Sequence, residues 1–310
     1  MTYALGVDIG GTKVAAVIID QHGKILYRAE VLSNRVDREK MFKQVVKSIE
    51  IVLANSSLEI SDMKGVGVGV PGKVDRKNGI AIFQNNLPWT NFPILERLRD
   101  YFSVENIVID NDVYMAAFAE WKVSNTLDKD TFVYLTVSTG VSCSIIHEGS
   151  FVRGTGFAGE VGLFPVLADT APNGIQTLEQ SASGPAIQRL AQKHFNRSDI
   201  TIQDFFDEYR KGNPAALATM SEIVKSLAHG IYSVICLLDP HKIVFGGGVI
   251  NHNPFLLDLV RKELQHYLIP EQHATNRMQT SHLKENAGIV GAGLRGMECS
   301  VRLSKSSWGV

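Results

Sequence analysis

Cysteine is scarce in this chain of 310 residues: Cys143, Cys236 and Cys299 stand far apart in the sequence. An odd, scattered count excludes a disulfide framework and fits reduced thiols in a cytoplasm. Metal-ligand spacing is equally poor. None of the nine histidines forms His-x-x-x-His, and there is no Cys-x-x-Cys. Neither a zinc centre nor a Cys/His nucleophile is therefore expected. Charge of one sign is also missing, with 31 Lys+Arg against 32 Asp+Glu and a formal net charge of -1. Without a basic face, neither nucleic acid nor an anionic membrane is an expected partner. No run of about 18 apolar residues announces a membrane span. The opening MTYALGVDIGG has no basic leader, and Asp8 and its glycines interrupt the apolar stretch, so no signal peptide is read. What remains is a soluble, cytoplasmic globular chain, long enough for two domains at about 100–200 residues each.

The hydrophobic rhythm runs twice. Tyr3–Val7 and Val14–Asp20 read as a β-hairpin around Gly10-Gly11-Thr12-Lys13, continued by Lys24–Val31. Apolar residues three and four apart from Met41 to Val52 mark a helix over Asp37–Asn55. Strands at Gly65–Val70 and Ile107–Asp110 alternate with helices at Ile94–Phe102 and Val113–Lys122. A second hairpin, Phe132–Val137 with Ser142–His147, then restarts the pattern. Helices follow over Gly184–Phe195, Ile202–Lys211 and Pro214–Leu238, then a strand at Lys242–Phe245 and helices over Pro254–Leu268 and Gly288–Glu298. The expectation is a duplicated α/β architecture with a cleft between its halves. The division is expected at 1–113 and 114–289, with a final helix over about 290–310 returning to the first domain.

Several motifs carry chemistry, each beside a plainer reading. In Asp8-Ile9-Gly10-Gly11-Thr12-Lys13, glycines let backbone N–H groups approach an anion, while Thr12 and Lys13 add a hydroxyl and a charge. A Walker loop would open a helix; here Val14–Ile19 reads as a strand, so that site is rejected. An ordinary hairpin turn remains the alternative. Gly67-Val68-Gly69-Val70-Pro71-Gly72 matches a dinucleotide fingerprint, but a polar, turn-rich run follows it instead of a helix. Close packing of a glycine-rich strand explains it better. Asn111-Asp112 ends a strand, where an acid can be catalytic or merely cap the next helix. Ser138-Thr139-Gly140 is a second turn equivalent to the first. Glu160 and Glu179 stand among small residues, suited to accepting hydrogen bonds from hydroxyls or simply to a surface. Gly246-Gly247-Gly248 ends a strand where a base or ribose could lie flat, or where backbones pack tightly.

Together, in order and over nearly the whole chain, these pieces resemble the ROK family of sugar kinases, within the actin/hexokinase/Hsp70-type ATPases. Leu5–Lys13 resembles its first phosphate motif. Gly69–Gly72 and Asn86-Leu87-Pro88-Trp89 resemble its sugar-side loops, and Asn111-Asp112 with Ala116, Ala117 and Glu120 its catalytic segment. Ser138–Gly140 stands at its second phosphate turn and Phe245–Ile250 at its adenosine motif. The resemblance implies a two-domain actin/hexokinase-like (ribonuclease H-like) fold and transfer of phosphate from ATP to a hexose 6-hydroxyl. It implies Asp112 as general base and Asp8 holding Mg²⁺ through water. Gly10, Gly11, Thr12, Lys13, Thr139, Gly140, Gly247 and Gly248 would hold ATP; Gly72, Asn86, Asn111, Asp112, Glu160 and Glu179 would hold the sugar.

The departures from the family pattern are specific. Leu163 stands where many members carry His after the Gly159-Glu160-Val161-Gly162 segment. Residues 171–177 lack the Cys-rich zinc segment, which makes the chain similar to zinc-free members acting on N-acetylmannosamine or β-glucosides. Ser138, Ser142 and Cys143 make the second turn bulkier than usual. Glucose or an N-acetylhexosamine such as N-acetylmannosamine is the expected acceptor, with a β-glucoside or a non-catalytic sugar sensor as alternatives. ROK regulators carry a DNA-binding module ahead of this body, and here the first strand begins at residue 3. A homodimer is implied by the resemblance alone.

Overall fold

The computed structural model describes residues 1–305 except 85, 169, 170, 172 and 273. Residues 306–310 of the expected closing helix, and Pro172 within 171–177, lie outside the described residues. The chain folds as two units, one of residues 1–123 with 286–310 and the other of residues 124–285.

The first unit is built on β1 (Tyr3–Ile9), β2 (Lys13–Asp20), β3 (Ile25–Leu32) and, after α1 (Arg38–Ser56), β4 (Met63–Val70). Helix α1 starts because the Asp37 carboxylate accepts from the N–H groups of Glu39 and Lys40 at 2.9 and 2.8 Å. It buries Met41, Phe42, Val45, Val46, Ile49 and Val52, the apolar face its spacing predicts. Three short strands, β5 (Lys73–Asp75), β6 (Ile80–Phe83) and β7 (Thr90–Phe92), form a separate small sheet. Then come α2 (Ile94–Phe102), β8 (Ile107–Asn111) and α3 (Asp112–Val123). The main sheet runs β3-β2-β1-β4-β8, antiparallel through the hairpins and parallel from β1 to β8.

The second unit repeats that plan. Strands β9 (Thr131–Val137), β10 (Val141–His147) and β11 (Ser150–Val152) form the meander. The hairpin β12 (Pro165–Leu167) and β13 (Ile175–Thr177) precedes helices α4 (Leu178–Ala182), α5 (Gly184–Phe195), α6 (Ile202–Arg210) and α7 (Pro214–Leu238). Strand β14 (Lys242–Gly246), α8 (Gly248–His252), α9 (Phe255–Leu264) and β15 (Met278–Thr280) complete it. The order β11-β10-β9-β14-β15 mirrors the first sheet strand for strand. The duplication expected from the paired hairpins is thus present. Helix α7 is long and apolar enough by composition to cross a membrane, although no unbroken apolar run exists. Half of its most apolar window is buried, in the core of this unit.

The chain then closes with α10 (Ala287–Lys305) in the first unit. This helix explains the glycines of β4. A methyl group at Gly67 would run into the Ala292 carbonyl, and one at Gly65 into that of Gly296. The G-x-G-x-x-G match therefore serves close helix-on-strand packing. One helix is shorter than its periodicity predicts: α9 ends at Leu264, where the backbone tightens and His266 N–H donates to the Glu263 carbonyl.

Candidate functional site: two turns and a carboxylate pair

In the first unit, β1 delivers Asp8 to its carboxyl end, just before the turn into β2. Every carbonyl from Gly10 to Thr12 is fastened by the segment after β3. Ser33 Oγ donates to the Gly10 carbonyl at 2.6 Å, Ser33 N–H to that of Thr12 at 3.0 Å, and Arg35 Nε to that of Gly11. Arg35 Nη2 also donates to Thr12 Oγ1 at 2.9 Å. The N–H groups of Gly11 and Thr12 meet no protein acceptor among the described residues. Lys13 is turned across the sheet, its Nζ 3.0 Å from both oxygens of Glu30. Asn86 packs against the same turn, where a methyl at Gly11 would come within 2.8 Å of its Cβ.

Strand β8 delivers the other acid. Asp110 is buried, accepts the Asn111 N–H at 2.9 Å and lies 3.4 Å from Arg76. Asn111 Nδ2 donates to the Gly72 carbonyl at 2.9 Å, tying the strand end to a loop whose glycine has φ +78°. The Val113 N–H is shared between Asn111 Oδ1 and Asp112 Oδ1, each at 2.9 Å. Asp112 is thus the first residue of α3, at the helix end that favours a negative charge. Capping engages only one oxygen of Asp112, and the other has no protein donor among the described residues. Gly288 of α10 lies against both acids, its position giving a methyl 3.9 Å from the Asp112 carbonyl and from Asp8 Oδ2.

Both carboxyls hold protons more tightly than usual. Burial, then the charge of Asp112, raises Asp8 to about 7, against the opposing pull of Arg28 and Lys13. Burial raises Asp112 as well, although its backbone hydrogen bonds work the other way. Two acids that cannot comfortably ionise together make a cation or a mobile proton welcome between them.

The second unit holds the remaining candidates. Ser138 N–H donates to the Gly140 carbonyl, and the Ser138 carbonyl accepts from Gly184 at the start of α5, both at 2.8 Å. Glu179, in the first turn of α4, takes the Val141 N–H at 3.0 Å and presses its carboxylate on Gly140. Glu160 is held above the usual carboxylate range by burial and then by the charge of Glu179. Gly247 has φ +86°, and a side chain there would strike the Val137 carbonyl and Thr136 Oγ1. Beside it opens a cavity of about 450 Å³ lined by Ser138, Thr139, Gly248, Ile202, Phe206 and Asn253, among others. Sequence reasoning missed Ile202, Phe206, Gln188, Arg210, His252 and Asn253, because helices α5, α6 and α8 bring them together without a shared motif. It also gave no role to Arg35, to Arg76, or to Asp110 within the Ile109-Asp110-Asn111-Asp112 segment. Among the described residues, no group of three His, Cys, Asp or Glu is placed to hold a metal.

The ROK family model matches residues 4–294. A glucokinase of Halalkalibacterium halodurans is 27% identical over 309 residues, covering 93% of each chain. A β-glucoside kinase of Listeria innocua is 28% identical over 292 residues, with 92% of this chain and 94% of that one covered. The crystal structure of a ROK glucokinase from Streptomyces griseus, in complex with glucose and AMPPNP, superposes with a TM-score of 0.76. It is 27% identical and covers 94% of this chain and 98% of that one.

Proposed function

The chain belongs to the ROK family, and from that premise we propose that it is an ATP-dependent, Mg²⁺-requiring kinase that phosphorylates the 6-hydroxyl of a hexose. The acceptor would be glucose or an N-acetylhexosamine such as N-acetylmannosamine. The observation that carries the reading is the pair Asp8 and Asp112, two acids of raised proton affinity beside a glycine turn whose Gly11 and Thr12 N–H groups meet no acceptor among the described residues. Asp112 takes the proton of the sugar 6-hydroxyl as that oxygen attacks the γ-phosphorus, and the bond from phosphorus to the departing ADP oxygen breaks. Base catalysis of this kind contributes about 10²–10⁴-fold. Magnesium, when bound, supplies neutralising charge on the phosphates, and Asp8 is the residue that would hold it through water. The Gly10–Lys13 turn offers backbone N–H groups and the Thr12 hydroxyl to phosphate oxygens in the first unit, and Thr139 and Gly140 offer theirs in the second. The cavity beside Gly247 and Gly248 fits an adenosine in size and apolar lining. Gly72, Asn86, Asn111, Glu160 and Glu179 hydrogen-bond or floor the sugar.

A β-glucoside acceptor is the second reading. Leu163, in the short turn that follows Glu160, is 63% exposed and offers apolar surface where a polar contact to the sugar would otherwise stand. The test is ADP release from Mg-ATP with glucose, mannose, fructose, N-acetylglucosamine, N-acetylmannosamine and a β-glucoside, each beside Asp112→Asn. Turnover with one sugar, lost in the variant, supports the kinase and names its acceptor. Silence with every sugar, while sugar still binds, would replace the kinase by a sensor. A cytoplasmic homodimer completes the proposal, with light scattering as the check on its oligomeric state.

A further inference from the structure

Arg35 belongs to no motif, yet it is one of the side chains that touch the first turn. Three features place it functionally. It lies behind the turn, where its Nε occupies the Gly11 carbonyl. Together with Ser33 on the carbonyls of Gly10 and Thr12, it leaves the turn's carbonyls engaged and the N–H groups of Gly11 and Thr12 open. A row of open N–H groups with its carbonyls tied back is the arrangement that receives an anion. The second contact is to Thr12. A hydroxyl has one donor hydrogen and two acceptor lone pairs. Because Arg35 Nη2 donates to Thr12 Oγ1 at 2.9 Å, a lone pair is occupied and the hydroxyl hydrogen must point elsewhere. Thr12 is exposed, so that hydrogen is available to a ligand. The third feature is charge: Lys13, the obvious cation of the turn, is paired with Glu30, whereas the described contacts of Arg35 are all to the turn itself.

We propose that Arg35 is a positioning residue for the nucleotide phosphates, locking the Gly10–Lys13 turn from behind and aiming the Thr12 hydroxyl as a donor to a phosphate oxygen. The inference rests on the kinase reading of this turn and deepens it. A lysine cannot reproduce the contact, since one ammonium does not supply two fixed donors in a planar fork.

The experiment is a comparison of the full-length chain with Arg35→Ala, Arg35→Lys and Thr12→Val. Each is measured for KM of Mg-ATP, KM of the sugar, and Mg-ADP affinity by calorimetry. Arg35→Ala is expected to raise KM for Mg-ATP and weaken Mg-ADP about 10–100-fold, with KM for the sugar within about twofold. Arg35→Lys should recover only part of the loss. In the Thr12→Val background, Arg35→Ala should cost clearly less than it does alone, because the two act through one hydroxyl. Equal losses for nucleotide and sugar, full rescue by lysine, or additive effects with Thr12→Val would overturn the positioning role. If the unaltered chain neither binds nor turns over Mg-ATP, the kinase reading itself falls. If it does both and Arg35→Ala behaves identically, only this inference falls. Should Arg35→Ala not fold, the lysine variant and its coupling to Thr12→Val decide the matter.

Discussion

The β1–β2 turn and the β9–β10 turn occupy the same place in the same strand order, yet opposite charges stand beside them. Arg35 fastens the first, whereas the carboxylate of Glu179 presses on Gly140 in the second. Both turns leave backbone N–H groups without a protein acceptor among the described residues. The duplicated backbone therefore supplies two turns of one kind, and the neighbouring side chain sets them apart. A phosphate approaching Thr139 and Gly140 meets the carboxylate of Glu179 within Coulombic reach, and one approaching Gly11 and Thr12 meets the guanidinium of Arg35 beside the protonatable Asp8. The first unit accordingly holds the two acids of raised proton affinity, Asp8 and Asp112, together with Arg35 on the turn. The second holds the cavity beside Gly247.

The largest expected effect breaks this division at its chemical end. Asp112→Asn should lower kcat about 10²–10⁴-fold with the fold intact. A variant that retained turnover would remove the base from the first unit. Asp8→Asn follows, with kcat falling about 10²-fold and a demand for more Mg²⁺. It also carries a pH signature in the ligand-free chain. Asp8 holds its proton up to about pH 7 when folded but only to an ordinary carboxylate value when unfolded. Between those limits the native state binds more protons, so stability falls as pH rises through the window. Asp8→Asn removes that penalty. Its melting temperature should exceed the parent's by about 3 °C above pH 7 and match it near pH 4. A constant offset at every pH would mean that packing, not the buried charge, sets the difference.

Gly247→Ala tests the shape-giving half. The left-handed backbone and the nearby Val137 carbonyl should cost about 1–3 kcal/mol of stability. KM for Mg-ATP should rise while KM for the sugar stays put. A urea titration and the two KM values together check this, and a rise in the sugar KM alone would move the nucleotide away from Gly247.

Legibility from sequence divides along a similar physical line. Long elements were readable: Gly184–Phe195 and Pro214–Leu238 have the bounds their capping and periodicity predict, because Ser183 and Asn213 cap them and proline opens them. Three-residue strands such as Lys73–Asp75 and Met278–Thr280 were not, since so short a run shows no period, and only tertiary pairing makes it a strand. The same holds at the site. Asp8, Gly10 and Asp112 sit in contiguous motifs at strand ends and could be named from the chain. Arg35 reaches Gly11 across 24 positions, and Arg76 meets Asp110 from a different strand connection, so neither had a local signature. Phe206 and Asn253 become neighbours of one cavity only through the packing of α6 and α8.

The smallest effect is also the sharpest test of the charge contrast. Lys13 would be read from sequence as the cation of the phosphate turn, but its side chain is 53% exposed and its ammonium is held between the oxygens of Glu30, which Arg28 also engages. Exposed pairs of this kind contribute about 0–1 kcal/mol, so Lys13→Gln should leave stability nearly unchanged. If Arg35 and the backbone N–H groups carry the phosphate interaction, KM for Mg-ATP should rise no more than about twofold, with a weak dependence on salt. A tenfold rise would mean that Lys13 leaves Glu30 when nucleotide arrives, and Glu30→Gln should then tighten nucleotide by freeing it. Measuring both variants at low and high salt separates a resident phosphate ligand from a lysine that only balances the sheet's own acid.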